Sequence, residues 1–353
     1  MALLTLPLEL LELITDNLTS LEDINSLVRT NRRLYGLFND RLYRHDVHFF
    51  KSSALLWASE KGQLQTAKAS LQAGADANSP DADGNTPLFL ATCTGHSRIV
   101  QLLLDNTEVE PNWEHHFYHR SILGYASIFG YTSVVKILLD QHKNRISLES
   151  KDRAGQSALS LAAQHGHIEI VRLLLAQDGV DPNSGDMYDR GPLSLAAWYG
   201  HEQIVQVLLR VQGINAHARD AHGLTPLALA AWNGQAAVVE LLVQQPGVDV
   251  NSHDIFNQSV LMLAVRRGQA NVIQLLLDHG ADPNAQDVNG RSNLSMAALY
   301  GHESVAHLFL SNPEWKVEAD VEDVHGVTPL EVATRCCHTD MAAVLSSGFE
   351  LEL

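Results

Sequence analysis

Three cysteines in 353 residues are too few for a disulfide framework, and two of them, Cys336 and Cys337, are adjacent. Adjacent cysteines lack the two-residue separation of redox and zinc pairs, so their usage fits a reducing compartment, the cytoplasm or the nucleus. Aromatic residues are scarce at 6%, which leaves the packing to small aliphatic side chains. Positive charge is also short: 24 Lys and Arg face 41 Asp and Glu, for a net charge of −17. A surface this acidic repels phosphate and no basic stripe interrupts it, so neither nucleic acid nor an anionic membrane is an expected partner. No apolar run approaches the roughly 18 residues needed to span a bilayer. The apolar start, MALLTLPLELLELI, lacks a basic leader and carries Pro7, Glu9 and Glu12. It reads as an amphipathic helix and not as a signal peptide.

What is present is a repeat. Glycines recur at Gly62, Gly95, Gly130, Gly166, Gly200, Gly234, Gly268 and Gly301, with Cys337 at the ninth place. The spacing of about 34 residues means a stacked array in which each copy contacts its neighbours. It is far too wide for a phosphate-binding glycine loop, whose glycines lie within a few residues of each other. No Ser-His-Asp set stands out, because every copy holds similar residues.

The sixth copy, Asp220 to Asn251, is the cleanest. Asp220 and Gly223 suit a tight turn. Thr225 caps a helix and Pro226 fits its first position, where a missing N–H costs nothing. Leu227, Ala230 and Ala231 form one apolar stripe, Gly234 ends the helix, and Val238, Val239, Leu241 and Leu242 make the buried face of a second helix. Gly247 stops that helix.

This pattern resembles the ankyrin repeat: Asp-x-x-Gly-x-Thr-Pro-Leu, Ala-x-x-Gly-His, a Val-Val-x-Leu-Leu helix, and Gly-Ala-Asp-x-Asn. DADGNTPL at 81–88, Gly166-His167, Gly200-His201, Gly301-His302 and the run from Gly280 to Asn284 carry it in other copies. The resemblance covers residues 53 to about 350 and implies an all-α ankyrin-repeat solenoid with β-turn fingers, about nine repeats over 52–353. Four copies depart from it. The first starts without a turn at Ser53-Ala54-Leu55, as a cap would. The third has His119 at the turn glycine, which predicts a distorted finger. The fifth has Gly191-Pro192 and loses the capping hydroxyl. The ninth has Cys337 at its hinge, as a fraying or capping end would.

Residues 1–48 do not follow the repeat. Leu6-Pro7 opens a helix with an apolar face at Leu10, Leu11, Ile14 and Leu18, Ser20 and Asp23 suit a second helix cap, and Arg32, Arg33, Leu34 and Phe38 suggest a third helix. So small a bundle leaves an apolar face for a partner. The segment resembles the F-box in Leu-Pro-x-Glu-Leu-Leu, Asp-Ile, Leu-Val and a basic pair before Leu. The F-box is a three-helix domain that docks on the Skp adaptor of Skp–cullin–F-box ubiquitin ligases while the rest of the chain recruits a target. The resemblance implies that Leu6, Pro7, Leu10, Ile14, Leu18, Leu27 and Val28 face the adaptor. Phe49 and Phe50 lie at the junction, and with no Gly/Ser linker the two parts are expected to be one stiff body. The alternative is a scaffold in which these helices only cap the stack.

The ankyrin resemblance also places a binding surface. Its concave groove is lined by turn residues and by the two residues before the hinge glycine. Here those columns hold Phe117, Tyr118, Phe129, Tyr188, Trp198, Tyr199, Trp232, Phe256 and Tyr300, nine of the 22 aromatic residues. Arg266 and Arg267 occupy the same columns of the seventh copy, and Arg190 lies near the fifth turn. Aromatic and Arg side chains dominate protein–protein hot spots, so an unidentified target protein is the expected ligand. The competing reading, that large residues before the hinge pack against neighbouring copies, stays open. The 18 histidines do not require a metal: His96, His167, His201 and His302 follow the hinge glycine, where the family uses His structurally. His115, His116 and His119 share one loop without a cysteine, too little for a zinc site or for a metal-dependent hydrolase. No cofactor and no catalytic residue is expected.

Overall fold

The computed structural model describes residues 43–44, 46–47, 52–115 and 117–348. The expected adaptor-facing residues Leu6, Pro7, Leu10, Ile14, Leu18, Leu27 and Val28 lie outside the described residues, as do Phe49 and Phe50. Among the described residues are eighteen α-helices in nine pairs, two short 3-10 turns, three isolated bridges and no strand.

They form two compact units divided between Arg153 and Ala154. The first holds three helix pairs: α1 (Ser53–Lys61) with α2 (Leu64–Gln72), α3 (Pro87–Cys93) with α4 (Ser97–Leu104), and α5 (Ile122–Phe129) with α6 (Thr132–His142). The second holds six. They are α7 (Ala158–Gln164) with α8 (Ile168–Leu175), α9 (Pro192–Tyr199) with α10 (Glu202–Leu209), and α11 (Pro226–Trp232) with α12 (Ala236–Val243). Then follow α13 (Val260–Arg266) with α14 (Ala270–Asp278), α15 (Asn293–Tyr300) with α16 (Glu303–Ser311), and α17 (Pro329–Arg335) with α18 (Thr339–Gly348).

The sixth copy shows how local chemistry makes a pair. Thr225 Oγ1 accepts the N–H of Ala228 at 3.2 Å, and Pro226 fills the first helical position. Every residue from Pro226 to Ala231 is buried, not only the predicted stripe of Leu227, Ala230 and Ala231. The reason is tertiary: α11 packs against α9, α13 and its own partner α12, so no side of it is left to water. Three of the six, Ala228, Ala230 and Ala231, are alanines, small enough to let the neighbouring helices approach closely. Helix α12 is one-sided instead, with Val238, Val239 and Leu242 buried and Leu241 only half-buried. Burial of each such aliphatic side chain contributes about 1.5–3 kcal/mol.

The same cap recurs at Thr86, Ser121, Ser157, Ser259, Ser292 and Thr328. Gly191 has no side chain to offer and its helix is uncapped, as the sequence predicts. The first copy starts differently. Buried Asp46 accepts from Ser53 Oγ at 2.5 Å and from the Ala54 N–H at 3.0 Å, capping α1 from upstream.

At the hinge Gly268 has a φ of +67°, and a Cβ there would lie 2.9 Å from His302 Nδ1. Both the backbone and the next copy therefore require glycine. His302 Nε2 reaches the Arg266 carbonyl at 3.1 Å, and His201 and His96 do the same to Gln164 (2.9 Å) and Glu60 (3.1 Å). These histidines are structural locks. Cys337 takes the hinge conformation with a φ of 58°, and both α17 and α18 form around it.

Most fingers are closed by an aspartate. Asp220 Oδ1 accepts the N–H groups of His222 and Leu224, both at 2.9 Å. In the second unit neighbouring fingers are joined by backbone bonds such as Ala221 N–H to Tyr188 O (2.8 Å) and Ile255 N–H to His222 O (3.1 Å). The third finger is distorted as predicted. Its closing bond runs from His115 to Arg120, five residues apart where Asp220 and Leu224 are four, and His115 Nδ1 replaces the carboxylate by accepting the Phe117 N–H. His119 supplies the left-handed turn residue with a φ of 50°.

Candidate target-binding surface

In the first unit Phe117, Tyr118 and Phe129 are exposed, but each leans on other rings. Phe117 and Tyr118 lie 5.0 Å apart, Tyr118 is 5.5 Å from His115, and Phe129 stacks on Tyr125 at 6.3 Å. Beneath them buried Phe89 contacts Trp113 at 4.6 Å and Tyr125 edge-on at 5.0 Å. Arg120 lies over Tyr118 and Tyr125, while its guanidinium donates to Asp152 Oδ2 at 3.1 and 2.6 Å. The rings are taken up by one another. Burial raises the Tyr125 phenol above its usual value against the opposing charge of Arg120, and burial pushes the Cys93 thiol up to about 12. Phe89, Trp113 and Tyr125 were not in the predicted set; the density of aromatic residues from Trp113 to Tyr131 was the available signal.

The second unit is open where the first is closed. Tyr188, Trp198 and Trp232 border a depression of about 320 Å³ between copies five and six, together with Arg190, Asp220, His222, Leu224 and Leu229. Trp198 and Trp232 are half-buried, and Tyr188 is exposed and stacked on His222 at 6.4 Å. Arg266, half-buried, lies over the Trp232 ring at 4.9 Å and the Tyr300 ring at 5.7 Å. Its guanidinium donates to Gln258 Oε1 at 2.6 Å and to the Tyr300 hydroxyl at 3.3 Å. Three of the predicted residues thus share one depression; Arg266 joins it through Trp232, and Tyr300 through Arg266.

The remaining predicted residues do not line the depression. Tyr199 and Tyr300 are exposed and stack on the hinge histidines His201 and His302. Phe256 and Arg267 are exposed. Arg190, which does line the depression, is paired: its guanidinium donates to Asp186 Oδ2 at 3.0 and 2.7 Å. The aspartate–arginine spacing of four residues, repeated in Asp287 and Arg291, could have signalled this pairing.

The aromatic count also passed over an aliphatic column. Met187, Ile255, Val288 and Val324, each directly after a finger aspartate, are exposed by 58–64%. An aligned apolar residue at one finger position was the signal. Among the described residues no group of three or more His, Cys, Asp or Glu is arranged to hold a metal ion, and no helix is long and apolar enough to cross a membrane.

A family model described as ankyrin repeats (3 copies) matches residues 32–115, 55–150, 107–186, 185–254 and 261–353. The chain belongs to the ankyrin-repeat family. It is 37% identical over 93 residues to the Homo sapiens transient receptor potential cation channel subfamily A member 1, covering 26% of this chain and 8% of that protein. It is 30% identical over 121 residues to Rabankyrin-5 of Mus musculus, covering 34% and 10%. It is 35% identical over 124 residues to the probable E3 ubiquitin-protein ligase XBOS32 of Oryza sativa subsp. japonica, covering 35% and 24%. In each case the chain spans less than a quarter of the relative's length. Ankyrin repeats make the chain a protein–protein interaction module.

Proposed function

We propose that this chain is a non-catalytic, substrate-recruiting subunit of a Skp–cullin–F-box ubiquitin ligase, working in the cytoplasm or nucleus. Residues 1–48 dock the Skp adaptor, with Leu6, Pro7, Leu10, Ile14, Leu18, Leu27 and Val28 toward it, and the repeats hold a target protein. The observation that carries this reading is the F-box-like Leu-Pro-x-Glu-Leu-Leu start placed directly ahead of an ankyrin array with an exposed aromatic face. The similarity to the Oryza sativa protein, a probable E3 ubiquitin-protein ligase, supports the same pathway.

The test is co-purification of the Skp adaptor with the full chain, which Leu6→Ala/Pro7→Ala abolishes. Adaptor binding that survives this double substitution defeats the ligase reading. It would leave an ankyrin scaffold whose first helices cap the stack, a second reading favoured by the family match that begins at residue 32, inside the segment.

A further inference from the structure

In most fingers both oxygens of the aspartate are occupied. Oδ1 accepts backbone N–H groups, and Oδ2 is taken by the residue four positions on: Asn85 for Asp81, Arg190 for Asp186, Gln258 for Asp254, Arg291 for Asp287. The sixth finger breaks the rule. Leu224 stands in that position and has no hydrogen to donate, so only Oδ1 of Asp220 is bonded. Asp220 is nonetheless only 7% exposed, and it lines the depression between Trp198 and Trp232. In the ninth finger Val327 makes the same substitution, but Asp323 is half-exposed and does not line the depression. With no protein donor, and facing a depression on the surface, this carboxylate oxygen of Asp220 is open to a cationic donor brought by a partner.

The walls suit a cation as well. Tyr188, Trp198 and Trp232 are rings whose quadrupoles attract an ammonium or guanidinium, as Arg190 over Tyr188 at 5.0 Å and Arg266 over Trp232 at 4.9 Å already show. The neighbouring charge of Arg190 is cancelled by Asp186. The chain's net charge of −17 draws basic partners toward it at long range. We infer that the depression binds a Lys or Arg side chain of the target protein, with its charged head paired to Asp220 Oδ2 and its aliphatic stem between Trp198 and Trp232. This rests on the reading that the repeats capture a protein, and it specifies the side chain they recognise.

The experiment uses the full chain and short Gly/Ser peptides with a central Lys, Arg, trimethylated Lys, Leu or Glu, followed by tryptophan fluorescence and by polarisation of a dye on the peptide. The Lys and Arg peptides are expected to bind more than about tenfold tighter than the Leu and Glu peptides. Leu224→Arg is expected to abolish the preference by supplying from within the donor that copies five and eight already have, without loss of thermal stability. Asp220→Asn keeps an oxygen for the finger N–H groups and removes the charge, so the Lys and Arg peptides weaken by about tenfold. Arg266→Gln removes a like charge beside Trp232 and strengthens them. Equal binding of all peptides, no binding at all, tighter binding of Glu, or an unchanged preference in Leu224→Arg overturns the inference. A trimethylated Lys that binds while Lys and Arg do not also overturns it, because such a head cannot donate to Asp220. Adaptor co-purification does not depend on these residues, so failure here is distinguishable from failure of the ligase reading.

Discussion

The two units put aromatic residues in the same columns of the repeat and use them in opposite ways. In the first, Phe89, Trp113, His115, Tyr118, Tyr125 and Phe129 touch one another in one cluster. In the second, Trp198 and Trp232 belong to successive copies and a space of about 320 Å³ opens beside them. Column position therefore does not decide whether a ring is cement or a binding wall. What distinguishes the two is whether the rings touch one another, as those around Phe89 and Tyr125 do.

The largest expected effect tests that distinction directly. Phe89→Ala removes the centre of the closed cluster and is expected to cost about 3–5 kcal/mol in the first unit, whereas half-buried Trp198→Ala costs about 1 kcal/mol. Two units need not unfold together, so amide exchange of α3 to α5 and of α9 to α11 is the measurement. Equal losses in both would erase the comparison.

Cys93 lies next to the same cluster, its carbonyl accepting the Tyr131 hydroxyl. Its thiol is raised from 9.0 to about 12 by burial. A raised folded value means the stabilising contribution is complete below pH 9 and is lost as the pH climbs toward 12, because only the unfolded thiol ionises in that window. Urea unfolding of the first unit at pH 8 and 10.5 is expected to show this fall, and Cys93→Ser to flatten it.

Hinges give a smaller test. Gly268→Ala forces a Cβ onto the His302 ring at a φ of +67° and is expected to cost about 2 kcal/mol, read as lost exchange protection in α13 and α15. The smallest effect is a gain. The φ of −78° at Gly191 is open to any residue, and a Cβ there meets nothing nearer than the Asn183 carbonyl at 3.5 Å. Gly191→Thr supplies the missing cap and reduces the freedom of the unfolded chain, worth about 1 kcal/mol in the second unit. A loss of stability there would show that copy five needs its glycine for another reason.

Much of this architecture is legible because backbone geometry demands particular residues. The hinge glycines, the Ser and Thr caps and the finger aspartates each answer a requirement that a single copy contains, so they can be read from one line of sequence. The burial of α11 on all sides cannot, because it is imposed by α9 and α13. The depression is hidden for the same reason: it is the volume left between Trp198 and Trp232, and no single copy encodes it. Tyr188, Trp198 and Trp232 are legible as groove positions, one in a finger and two before a hinge, but Asp220 reads only as a turn former, since a carboxylate oxygen without a protein donor shows only when all the fingers are compared. The pairing of Arg190 is local and legible, since Asp186 stands four residues upstream.

Within each unit the ring or amide that covers a hinge glycine comes from the following copy, as His96 covers Gly62 and Gln269 covers Gly234. The copies are shingled like roof tiles, every course sealed by the one laid after it. Anyone shortening or splicing such an array meets a direction: a cut on the downstream side lifts the cover from a hinge, while a cut upstream leaves a ring with nothing beneath it. Cys337, after which the described residues contain no further helix pair, is the one hinge here that carries a side chain of its own.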